Sequence, residues 1–192
     1  MKIAEFGFLA LVAGLLLSGC VVPSLHPFYT EATKIPLEDL NGEWQLIREF
    51  GEDVQSEQRQ HWSIADNVLT TYDSDGKQGK LTLIPFKLKG QIFVDCYAES
   101  PDEISFYWSC HVFPVHTVCR LEQDGDMIRA VPLNADWFEC MVKKGSIKAA
   151  TTDEGYSILT MAPRHLQKFL MKYLNDPGAF SANNEIVLRR VH

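Results

Sequence analysis

The chain has 192 residues, is 46% hydrophobic and 22% charged, and carries a formal net charge of −7, with an isoelectric point near 5.3. An acidic balance of this kind excludes nucleic acid as a partner and excludes electrostatic adhesion to anionic lipid, because both need clustered Lys or Arg. The apolar content suffices for one well-packed domain but not for two.

Lys2 gives the N-terminus a positive start, and residues 6–17 are apolar apart from Gly7 and Gly14. A spanning helix takes roughly 20 apolar residues, so this shorter run reads as the core of a signal peptide. It ends in Leu17-Ser18-Gly19-Cys20, an aliphatic residue, two small residues and then a cysteine. That ending resembles the lipobox of bacterial lipoproteins. Small residues let a signal peptidase seat the backbone, and the thiol accepts a diacylglycerol through a thioether. The resemblance implies cleavage between Gly19 and Cys20, loss of residues 1–19, and Cys20 as the acylated first residue, bearing palmitate or a similar chain. More than one acyl chain gives stable attachment, whereas a single chain binds only marginally. The expected partner is therefore the membrane, through the N-terminal lipid. Val21 follows the cysteine where an aspartate would retain a lipoprotein at the inner membrane, so outer-membrane placement on the periplasmic side is expected in a Gram-negative cell envelope.

Residues 20–40 contain Pro23, Pro27 and Pro36, which keep a chain extended and out of a helix. They read as a lipidated tether that lifts the domain from the bilayer. The apolar "LHPFY" within them either docks on the domain or stays in solvent.

Residues 41–192 read as a single β domain. Short runs rich in Val, Ile, Leu, Phe, Tyr and Thr alternate with turn signals at Asp66-Asn67, "DSDGKQG" from Asp73, Lys89-Gly90, "ESPD" from Glu99, Asp124-Gly125 and Asn134-Ala135. This rhythm predicts sequential hairpins forming an up-and-down antiparallel barrel or a strongly curved sheet. By period two, Phe106, Trp108, Cys110 and Val112 share one face, and Val115, Thr117, Cys119 and Leu121 share another. Leu166, Phe169, Leu170, Tyr173 and Leu174 form the apolar stripe of one amphipathic helix, with Pro163 in its first turn and Asn175, Pro177 and Gly178 as its stop. The stripe is expected to pack outside the sheet rather than on a membrane surface, which would call for more cations. "NEIVLRRV" from Asn184 reads as a last strand.

"LNGEWQL" from Leu40 is similar to the G-x-W signature of lipocalins, matched at Gly42 and Trp44. A hairpin meander, a late outer helix and a closing strand with Arg189 and Arg190 are similar too. The resemblance implies a lipocalin-like barrel in which Trp44 plugs the closed end and Arg189 or Arg190 packs over its ring, a cation–π contact worth about 0.5–2 kcal/mol. The lipobox followed by "LHPFYTE" and G-x-W resembles a group of uncharacterised bacterial lipoproteins.

Beyond Cys20 the cysteines are Cys96, Cys110, Cys119 and Cys140. An exported chain meets an oxidising compartment, so two disulfides are open to it, with three connectivities. Buried thiols acting as small hydrophobes are the other reading. His111 and His116 would face each other across a hairpin, but zinc wants three or four ligands and no third is nearby, so they read as a surface pair. Asp73 to Gly76 begins like a calcium loop without its closing glutamate, and reads as a turn. No nucleophile elbow, zinc helix or phosphate loop occurs, and no cofactor is indicated.

Three functions follow in order: a carrier of a small apolar ligand, a non-enzymatic accessory protein that binds an envelope protein partner through a filled barrel, and an unrecognised enzyme. Trp62, Phe86, Phe93, Phe106, Trp108, Trp137 and Phe138 are the aromatics that would fill a small barrel.

Overall fold

The computed structural model describes residues 21–36, 38–55, 60–72, 78–99, 114–153 and 155–192. Its centre is one antiparallel sheet whose strands follow in chain order: β1 (Gly42–Glu49), β2 (Glu52–Asp53), β3 (His61–Ala65), β4 (Val68–Tyr72), β5 (Gln78–Leu88), β6 (Gln91–Ala98), β7 (His116–Asp124) and β8 (Met127–Pro132). Helix α1 (Ala135–Lys143), a two-strand ribbon of β9 (Ala150–Thr151) and β10 (Ser157–Ile158), and helix α2 (Pro163–Tyr173) come next. Strand β11 (Ile186–Arg190) completes the order. β11 pairs with β8 on one side and β1 on the other, which closes an eight-stranded up-and-down barrel of lipocalin-like form, with β2 as a short extra strand outside.

The hairpins are tight where the chain supplies residues that tolerate left-handed backbone. Asp66 and Asn67 join β3 to β4 with φ of 50° and 64°, and Lys89 and Gly90 join β5 to β6 with φ of 45° and 89°. Positive φ at both central residues matches the right-handed twist of the flanking strands, which is why Asp, Asn and Gly stand there.

The wall of the barrel is buried on both faces over half its circumference. Inward, Trp44, Leu46, Ile64, Leu69, Leu83, Val94, Leu121, Ile128 and Leu188 form one apolar cluster. Outward, Phe86, Phe93, Val118 and Val131 form a second cluster with Phe138 of α1 and with Leu166, Phe169, Leu170 and Tyr173 of α2. Phe86 stacks on Phe93 at 5.5 Å, and Phe169 meets Tyr173 edge-on at 5.3 Å. The outer helix expected from the 3.6-residue stripe is α2, and its buried face is that stripe.

Three expectations need correction. Asn134-Ala135 is not a hairpin turn: Asn134 caps α1, its side chain accepting the Trp137 N–H. Phe86, Phe93, Trp137 and Phe138 do not fill the barrel but pack outside it, because α1 and α2 cover the outer face of β5–β8. Residues 21–36 do not lift the domain on a free tether. They form a strap along the wall, with Val22, Ser24 and Phe28 buried and Ser24 bonded in both directions to the backbone of His116 at 2.8 and 2.9 Å. Phe106, Trp108, Cys110, His111, Val112 and the "DSDG" turn lie outside the described residues, as does the Leu17–Cys20 ending.

Candidate functional site

Period-two alternation in the barrel strands puts alternate side chains inside, and those side chains are almost all apolar. They surround a cavity of about 200 Å³. One end is sealed. Leu40 enters from the turn before β1, and its carbonyl accepts the indole N–H of Trp44 at 2.9 Å. Trp44 is fully buried, and the guanidinium of Arg190 lies 4.3 Å over its ring. Arg190 also donates to the carbonyls of Asn41, at 2.8 Å, and Asp39. Arg190 takes this place rather than Arg189 because it shares the inward parity of Leu188, whereas Arg189 points out. Gly42 has φ of 140°, and a Cβ there would stand 2.5 Å from Nη1 of Arg190, so the glycine makes room for the plug.

The far end of the cavity is bounded by Val21, Phe50, Thr71, Pro132 and Ile186. Trp62 is the one aromatic of the expected filling set that lines the cavity among the described residues. Ala130 and Leu121 stand across β8 and β7 from each other on its wall.

Cys96 and Cys119 also face the cavity. Cys119 lies opposite Val94 and Cys96 opposite Thr117, so the two thiols are diagonal neighbours on adjacent strands. Their hydrogen bond and burial push the Cys96 thiol well above its ordinary pKa. Cys96, Cys119 and Cys140 are all free, Cys140 on the exposed side of α1, so no disulfide joins any two of these three.

A second group of polar residues lies on the outer wall beneath the strap. Asp95 is fully buried; its Oδ2 accepts the amide N–H of Phe28 at 2.7 Å and its Oδ1 stands 2.7 Å from Nδ1 of His116. Tyr97 packs on the imidazole at 5.1 Å. Burial raises the Tyr29 hydroxyl above its ordinary pKa, with the neighbouring Lys34 acting the other way. These contacts fasten the strap to the wall. His116 therefore serves a structural bond, and no cluster of three or more metal-ligating side chains occurs among the described residues. Nor is any helix among them long and apolar enough to cross a membrane.

Compared with known proteins, the chain matches no family model, no curated protein and no solved structure.

Proposed function

We propose that the protein is a lipoprotein of the bacterial cell envelope, anchored through acylated Cys20 and favouring the outer membrane, that holds a small apolar ligand inside its barrel. The observation that carries the ligand reading is the cavity of about 200 Å³ with its apolar lining. Apolar cavities of about 150 Å³ stay dry and take benzene-sized guests, while sites for drug-sized ligands start near 300 Å³. The space therefore suits a one- or two-ring molecule or the end of an acyl chain. The packing of Phe86, Phe93 and Phe138 outside the wall favours this reading over a barrel filled by its own aromatics. The similarity to lipocalins and lipobox proteins supports it from the sequence.

The test uses a chain beginning at Val21 and titrates 1-naphthol, a two-ring probe, by isothermal titration calorimetry. Saturable binding with one site per chain, lost in Ala130→Trp while the domain stays folded, is expected. Binding that never saturates, or that survives Ala130→Trp, overturns the carrier reading and leaves the accessory protein that binds an envelope partner.

A further inference from the structure

We propose that the barrel stands on the bilayer with the end opposite Trp44 facing the lipid, so that ligand passes between lipid phase and cavity without crossing water. This rests on the acylation of Cys20 proposed above. The occupant of the surface is the lipid bilayer itself.

The first argument is the absence of slack. Val22 is 2% exposed, Ser24 is bonded to β7, and the Leu159 N–H donates to the Pro23 carbonyl at 3.0 Å. The strap is thus fixed to the wall from the second residue after Cys20. Consecutive Cα atoms are about 3.8 Å apart, while the headgroup layer on each side of a bilayer is roughly 5–7 Å thick. A lipid on Cys20 therefore enters the membrane beside Val21, which itself lines the cavity.

The second argument is the distribution of exposed apolar side chains. Among the described residues the large ones are Val21, Leu25, Phe50, Tyr72, Val115, Tyr156 and Val191, from 38 to 50% exposed. Phe50 follows β1, Tyr72 ends β4 and Val115 precedes β7, so all three sit at the end remote from Trp44. Leu25 continues the strap past His116, and Tyr156 immediately precedes β10, the ribbon strand beside the strap. Only Val191 belongs to the sealed end, next to Arg190. Apolar side chains gathered at one end mark an interaction surface.

The charges at that end fix what kind of contact it is. Glu52, Asp53 and Glu99 lie there, and the nearby Arg48 is engaged by Asp53 at 2.8 Å and Glu185 at 2.7 Å. With no surplus of cations among the described residues there, the contact is apolar, and zwitterionic lipid suits it better than anionic lipid.

The experiment places the photoreactive residue p-benzoylphenylalanine at Phe50, Tyr72, Lys89 or Asp126 of the full chain, in cells labelled with ³²P-phospholipid and, in parallel, with radioactive palmitate. Lys89 and Asp126 belong to hairpins at the sealed end. The expected result is phospholipid cross-linked at Phe50 and Tyr72 and at least fivefold less at Lys89 and Asp126. Palmitate on the chain with equal phospholipid labelling at both ends, or with cross-links from Phe50 and Tyr72 to a second copy or another protein instead, overturns the orientation alone. A chain without palmitate overturns the anchor and the orientation with it.

Discussion

Asp95 and His116 meet at 2.7 Å on the outer wall of the barrel, and the same carboxylate takes the amide of Phe28. One buried side chain thereby ties β6, β7 and the N-terminal strap together. Removing a buried acceptor and leaving its donor unsatisfied costs about 1–3 kcal/mol. Asp95→Ala is expected to lower the urea midpoint accordingly and to speed hydrogen exchange at the Phe28 amide. Unchanged exchange at Phe28 would show that the strap is held without the carboxylate.

The plug at the sealed end separates two adjacent arginines. Arg190→Ala removes a cation from over Trp44 and the hydrogen bonds to Asn41 and Asp39, so a loss of about 1–3 kcal/mol is expected. Arg189→Ala should stay within about 0.5 kcal/mol, the usual range for a surface substitution. Gly42→Ala should resemble Arg190→Ala, since its methyl would displace the guanidinium. Equal thermal unfolding of the two arginine variants would refute the assignment.

Thiol chemistry distinguishes the cysteines. Cys140 is exposed and is expected to react with a maleimide within minutes at pH 8, whereas Cys96 should wait for unfolding, because its thiol is held protonated by burial and the bond to Cys119. A pKa higher in the folded than in the unfolded chain favours the fold while the group is protonated. That contribution is complete below the ordinary thiol pKa and is lost as pH rises above it toward the folded value. Cys96→Val should therefore flatten the alkaline decline in stability measured by denaturant titration above about pH 8.5. Equal alkaline slopes would contradict this.

Helix α2 is fixed by its aromatic face. Phe169 is buried between the wall and Tyr173, and truncation of a buried Phe to Ala costs about 3–5 kcal/mol. Phe169→Ala should melt far below the parent chain by circular dichroism. Coincident melting curves would place that face in solvent.

Much of the barrel could be read from the residues. Asp66-Asn67, Lys89-Gly90 and Asp124-Gly125 mark hairpins because few other residues tolerate the backbone those turns require, and the spacing between them sets the meander. The α2 stripe was legible because its apolar residues follow the helical period and Pro163 opens it. Helix α1 was not. Trp137, Phe138, Met141 and Val142 are apolar neighbours in a nine-residue helix, and so short a run looks like strand or loop until the Asn134 cap is recognised. The position of Phe86 and Phe93 escaped for another reason. When both faces of a strand are buried, alternation no longer says which face points inward. The meeting of Cys96 and Cys119 depends on the β6–β7 register, which turn spacing alone does not fix when the connecting residues are many.

The strap also sets an order of events. A peptidase that cuts between Gly19 and Cys20 must hold several residues on both sides of the bond in extended form, yet in the folded protein Val22 is sealed against the wall two residues away. If Cys20 is processed as proposed, acylation and cleavage precede the docking of the strap. On that proposal the strap docks only after the chain is already tethered, and maturation and strap docking are coupled through four residues of backbone.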